Sequence, residues 1–167
     1  MIVFLNGKVY QLNYRTKIGF IYDATTFKRI GQFAFPSQEG WGLTTDGKNL
    51  IMSDGTNTLT YLDPNTFQVL RSVAVSENNY AKDFVNELEL INGSIYANIW
   101  TTNTIVKIDT ATGKVIAKLD LTALAENAKS THSGSFEMNG IAFDSATDKI
   151  YVTGKMWPKI YEIDFPH

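Results

Sequence analysis

No cysteine occurs among the 167 residues, which excludes a disulfide framework, a thiolate zinc site and a cysteine nucleophile. Histidine is almost as scarce. His132 and His167 are the only two; they lie far apart and one is terminal, which argues against a histidine-rich metal centre. No metal or organic cofactor is expected. A net charge of −2 with no basic block leaves out the electrostatic footprint that nucleic acid or an anionic membrane requires. No apolar run is long enough to span a bilayer. No charged segment followed by an apolar core marks a signal peptide.

Aromatic residues are plentiful, with eight Tyr, ten Phe and three Trp. All-β proteins use such rings to fill sheet faces, and binding pockets use them as walls. The chain also repeats. Short β-prone runs end in an acidic turn at Phe20-Ile21-Tyr22-Asp23, Thr60-Tyr61-Leu62-Asp63, Val106-Lys107-Ile108-Asp109 and Tyr161-Glu162-Ile163-Asp164. A further strand follows each of the first three turns, over 28–35, 68–75 and 115–121. A hairpin strand precedes each run, at Lys8-Val9-Tyr10, Asn49-Leu50-Ile51, Ser94-Ile95-Tyr96 and Lys149-Ile150-Tyr151. Before these lie segments beginning at Met1, Trp41, Asn86 and Asn139. Four short strands per unit, joined by Asn-Gly, Asp-Gly and Asp-Pro-Asn-Thr turns at a spacing near 40–45 residues, predict an all-β fold: a β-propeller of four-stranded antiparallel blades. A two-sheet sandwich explains strand alternation equally well but not the recurring four-strand order.

The chain reads as a single, incomplete propeller domain of about four blades. The last unit offers three strands before His167, so open sheet edges are expected at both ends, and with them self-association. Residues 122–136 exceed what a blade connection needs. A short helix within 121–129 and then a loop are expected. Glu87 and Glu89 alternate with leucines on one strand face; a solvated face is the expectation, with acid/base work as the sharper alternative.

Several segments are similar to the glutamine cyclotransferase family, the plant and bacterial type of glutaminyl cyclase. They are Gly7-Lys8-Val9-Tyr10-Gln11-Leu12, Glu39-Gly40-Trp41-Gly42-Leu43-Thr44-Thr45-Asp46-Gly47, Leu50-Ile51-Met52-Ser53-Asp54-Gly55, Asn86-Glu87-Leu88-Glu89, Tyr96-Ala97-Asn98-Ile99-Trp100, Asn139-Gly140-Ile141-Ala142 and Val152-Thr153-Gly154-Lys155-Met156-Trp157-Pro158. The resemblance covers the whole chain in order. It implies a five-bladed propeller with its active site at one end of the central channel, secreted or periplasmic, acting on peptides or proteins with an N-terminal glutamine. It implies Asn86 and Lys155 as catalytic groups, and Trp41, Trp100 and Tyr14 as substrate-binding rings. Tyr14 stands where the family usually has Trp. The family's principal catalytic glutamate belongs to a Gly-Glu-Gly-Ile segment that would precede Met1, so little activity is expected of these 167 residues alone.

Closing an N-terminal glutamine into pyroglutamate needs a proton moved between two nitrogens and donors for a developing oxyanion. Asn86 and Lys155 could supply donors, and the three rings a small dry pocket. Each has a plainer reading: packing aromatics for Trp41 and Trp100, a backbone bond for Asn86, a solvated turn for Lys155. Trp157-Pro158 reads as structural. Two other functions fit the same residues: a non-catalytic propeller that binds peptides, and an interaction scaffold with a partner on its rim.

Overall fold

The computed structural model describes residues 1–166; His167 lies outside the described residues. Blade 1 comprises β1 (Ile2–Leu5), β2 (Lys8–Leu12), β3 (Ile18–Asp23) and β4 (Arg29–Ala34). Blade 2 comprises β5 (Gly42–Thr45), β6 (Leu50–Ser53), β7 (Thr58–Leu62) and β8 (Val69–Ala74). A small hairpin of β9 (Ser76–Glu77) and β10 (Tyr80–Ala81) follows. Blade 3 is β11 (Val85–Ile91), β12 (Ser94–Ile99), β13 (Thr104–Asp109) and β14 (Val115–Asp120). Helix α1 (Thr122–Thr131) then leads to blade 4, formed by β15 (Met138–Asp144), β16 (Lys149–Gly154) and β17 (Tyr161–Ile163). In each blade the strands run antiparallel in chain order. The first strands neighbour one another from blade to blade: β5 packs beside β1, β11 beside β5, and β15 beside β11. The blades are therefore arrayed radially as a β-propeller, and the sandwich alternative falls.

The core sits between blades. Tyr10, Leu12 and Phe33 of blade 1 pack with Leu43, Leu50, Met52 and Leu62 of blade 2. Ile51, Leu59 and Val73 pack with Val85, Ile95 and Val106 of blade 3. Ile91, Tyr96 and Ile105 pack with Met138, Ile150 and Val152 of blade 4. Successive residues of a strand point to opposite faces, so Leu50 and Met52 serve one interface while Ile51 between them serves the next. Every residue of β6 is buried because both faces are covered, which is why Leu50, Ile51 and Met52 read as a continuous apolar run rather than an alternation. The outer strands face water instead; Val69 and Leu70 of β8 are exposed.

The acidic turns are built alike. The Asp23 carboxylate accepts from the N–H groups of Thr25 and Thr26, that of Asp63 from the N–H groups of Asn65 and Thr66, and that of Asp109 from the hydroxyl and then the N–H of Thr112. Those bonds hold all three carboxyls below the usual range. Each turn ends on a left-handed residue: Phe27, Phe67 and Gly113, with φ of 54°, 58° and 73°. Phe67 offsets that strain by stacking on Phe33 at 4.3 Å.

The expected helix is present. Asp120 just before it accepts from the N–H and hydroxyl of Thr122. The β9–β10 hairpin was not foreseen. Asn78 and Asn79 turn it with φ of 53° and 68°, the geometry of a two-residue hairpin loop. Glu77 bonds Lys82 and Lys118 at 2.9 and 2.7 Å, and these bonds lower its carboxyl pKa. Among the described residues no helix is long and apolar enough to cross a membrane.

Candidate active site

At the end of the blades where first strands begin and second strands finish, the flanking residues surround a shared cavity of about 350 Å³, near the lower bound for small-molecule sites. Tyr14 from blade 1, Trp41 from blade 2, Asn86 and Trp100 from blade 3, and Lys155 from blade 4 all line it. The five residues singled out in the sequence therefore meet in one place, although up to 141 positions separate Tyr14 from Lys155.

The rings support one another. Trp41 meets Trp100 edge-on at 5.2 Å, and Tyr14 lies 6.4 Å from Trp41. The Trp41 indole N–H donates to Glu39 at 2.7 Å, which fixes its plane. Gly55 sits against the ring; a Cβ there would come within 2.7 Å of it, and φ is +85°, so both space and backbone call for glycine. Gly42 carries a similar demand, since a Cβ would collide with the Asn86 carbonyl oxygen. That carbonyl accepts from the Ser53 hydroxyl at 2.6 Å, while the Ser53 oxygen accepts from the Gly42 N–H at 2.8 Å. The base of Asn86, only 7% exposed, is thus held across two blades.

Blades 3 and 4 build their share by the same device. The β11–β12 ladder slips between Val85 and Leu88, and the β15–β16 ladder between Met138 and Ile141. Both are β-bulges, which re-aim side chains beside functional sites. One bulge holds Asn86-Glu87, the other Asn139-Gly140. The first residue past the second strand is Trp100 in one blade and Lys155 in the other. The Trp100 N–H donates to the Phe84 carbonyl at 2.9 Å, and the Lys155 N–H to the Glu137 carbonyl at 3.0 Å. Asn139 also lines the cavity, and its side-chain oxygen is buried without a hydrogen-bond partner. Asn139 opens a repeat segment of the sequence, but the family resemblance assigns it no role. Its signal was there: it opens the same segment that Asn86 opens one blade earlier. The Lys155 ammonium stands 3.8 Å from Glu137 and is half exposed, loosely paired and able to reach the cavity.

Glu87 and Glu89 do not form a solvated face. They line a second cavity of about 460 Å³ among the first strands, bounded also by Ile2, Phe4, Thr44 and Ile141. Burial pushes the Glu87 carboxyl up to about 8; the Met1 amino group opposes this and the Glu89 charge adds to it. One Glu87 carboxyl oxygen is buried with no hydrogen-bond partner. Burial raises Glu89 too, although it accepts from the Phe143 N–H at 3.1 Å. The period-two pattern correctly put both on one face; it could not say that neighbouring blades cover that face.

Trp157 is structural, as read. Its indole donates to the Phe136 carbonyl at 2.9 Å. His132 is exposed at the end of α1. Among the described residues no cluster of His, Asp and Glu could hold a metal ion.

Radial blades with an aromatic-walled, amide- and ammonium-bearing cavity at one axial end make this a β-propeller. Residues 2–165 match the model of the glutamine cyclotransferase family, and the chain belongs to it. It is 38% identical over 163 residues to a glutaminyl-peptide cyclotransferase of Arabidopsis thaliana, covering 97% of this chain and 51% of that protein. The crystal structure of Myxococcus xanthus glutaminyl cyclase superposes with a TM-score of 0.90 at 32% identity, over 96% of this chain and 69% of that one. The WD40 β-propeller domain of Doa1 shares the fold alone, with a TM-score of 0.54 at 16% identity over 89% of this chain and 44% of that one. The chain spans about half the length of the curated relative it matches.

Proposed function

We propose that the cavity binds the N-terminal glutamine of peptides and serves its cyclisation to pyroglutamate with release of ammonia. The observation that carries this reading is the meeting of Tyr14, Trp41, Asn86, Trp100 and Lys155 at one cavity. The α-amine nitrogen attacks the γ-carboxamide carbon, and a C–N bond forms as the carbonyl oxygen takes on negative charge. The C–NH₂ bond then breaks, and the proton given up by the amine leaves with ammonia. The Asn86 amide and Lys155 ammonium are the donors placed to meet the oxyanion. The three rings hold the side chain folded back on its own amine and exclude water. Their faces favour the ammonium form of the incoming peptide by about 0.5–2 kcal/mol.

On this reading the proton carrier is the glutamate of the family's Gly-Glu-Gly-Ile segment. The cavity is then expected to bind glutamine-starting peptides through their free amine. Secretion, or residence in a periplasm, follows from the resemblance. The half-exposed Ile2 and Phe4 of β1 suit self-association of the chain, to be read by light scattering.

Calorimetry with a Gln-peptide and its Nα-acetylated twin, beside a fluorogenic cyclisation assay, tests the proposal. Binding that needs the free amine supports the site. Equal binding of both peptides, or none of either, refutes it. Amine-dependent binding with no cyclisation above the spontaneous rate would instead favour a peptide-binding propeller.

A further inference from the structure

The aromatic wall continues beyond the cavity. Phe84, the residue before β11, is 49% exposed. Its ring lies 5.9 Å from that of Trp100, tilted by 51°. Single exposed apolar residues are ordinary on a protein surface. Phe84 differs from them because its main chain is fixed on both sides. Its N–H donates to the Gly55 carbonyl at 2.9 Å, and its carbonyl accepts from the Trp100 N–H at 2.9 Å. Its φ is +65°, a backbone state uncommon for a bulky side chain. Phe27 and Phe67 share that state, but they close four-residue turns, and Phe67 stacks on Phe33. Phe84 sits in no such turn, and the ring it meets belongs to the cavity wall. It stands as an outward extension of Trp100.

The shape of the ligand gives that extension a use. With the α-amine and carboxamide folded into the cavity, the peptide continues from the α-carbonyl, and its second side chain must cross the rim. We propose that Phe84, with Trp100, receives the side chain of the second residue and biases the site toward peptides that begin Gln-Phe or Gln-Leu over Gln-Gly. Met156 and Phe136, 66% and 65% exposed, are neighbours of Lys155: Met156 follows it in sequence, and the Phe136 N–H donates to the Lys155 carbonyl at 2.9 Å. The inference rests on the reading of the cavity as a site for N-terminal glutamine.

Tetrapeptides that begin Gln-Phe, Gln-Leu, Gln-Gly and Gln-Asp, titrated calorimetrically into the 167-residue chain, test it. The expected result is Gln-Phe about tenfold tighter than Gln-Gly, a size suited to one good aromatic contact. Phe84→Ala should shrink the ratio to about twofold, the loss falling mainly on Gln-Phe, and Phe84→Leu should lie between, as expected when an apolar contact is trimmed. Equal affinity for Gln-Phe and Gln-Gly in the unsubstituted chain overturns the inference without any variant. So does a ratio that survives Phe84→Ala. In both cases amine-dependent glutamine binding persists and the cavity reading stands. If no Gln-peptide binds, or acetylated peptides bind as well, the cavity reading fails and takes this inference with it.

Discussion

Blades 3 and 4 use the same backbone plan to opposite chemical ends. In each, a bulge follows the crossover, an asparagine opens the bulge, and the residue past the second strand faces the cavity. Blade 3 fills those places with Asn86, Glu87 and Trp100; blade 4 fills them with Asn139, Gly140 and Lys155. On the proposed function the difference separates two jobs. An indole is rigid and apolar, suited to holding a ligand still. A half-exposed ammonium is mobile and charged, suited to answering a charge that appears only during reaction. The two asparagines differ in their support as well: Asn86 has a main chain tied across blades through Ser53, while the Asn139 side-chain oxygen lacks any partner.

Exchanging those roles is the strongest way to break the comparison. Lys155→Met should lower the single-turnover cyclisation rate by about 10²–10³ while leaving Gln-peptide affinity within about threefold, the signature of a group that acts in the transition state. Trp100→Ala should do the converse, weakening affinity by about tenfold or more with a smaller effect on rate once bound. If both variants lose affinity and rate alike, the division of labour is wrong.

The asparagines sharpen the contrast at smaller scale. Asn86→Ala should lower the single-turnover rate by the equivalent of about 1–3 kcal/mol, the range for a lost hydrogen bond to a polar or charged group. Asn139→Ala should cost less. Single-turnover assays on both variants and their double show whether the amides act together. Gly140→Ala should lower stability by about 1–3 kcal/mol, because its Cβ would press to 2.8 Å from the Thr153 methyl. Thermal melting reads this as about 2–4 °C per kcal/mol for a chain of this size.

Glu87, the blade 3 counterpart of Gly140, gives the smallest effect and a pH signature. Its folded-state pKa of about 8 lies above its unfolded value. The folded state then holds a proton the unfolded state has released, so its stability falls as pH rises from about 4.5 through 8. Glu87→Gln should therefore raise Tm at pH 8 by about 2–4 °C or more, equivalent to at least about 1 kcal/mol, and change little at pH 4. A variant with the same Tm difference at both pH values would contradict a buried, proton-holding Glu87.

What could be read from the sequence divides along physical lines. Turn chemistry is local, so Asp23, Asp63 and Asp109 announced their turns, and the repeat they mark implied the propeller. The repeat did not choose the site: Tyr14, Trp41, Asn86, Trp100 and Lys155 were named by the resemblance of their segments to the family. Bulges are not local. They arise from the pairing of two strands, so the slips at Asn86-Glu87 and Asn139-Gly140 left no mark in either strand alone, and Asn139 was passed over. Whether a face is wet depends on the neighbouring blade, which is why Glu87 and Glu89 were misjudged. The two-residue strands at Ser76–Glu77 and Tyr80–Ala81 are shorter than any hydrophobic period can register, although Asn78-Asn79 hinted at their turn.

Every blade lends at least one side chain to the same small cavity, while each blade is packed only against its immediate neighbours. An array bound by adjacent contacts opens unit by unit rather than all at once. A peptide seated in the cavity would touch all four blades at once, so occupancy should slow amide hydrogen exchange in each of them, far beyond the few residues it contacts.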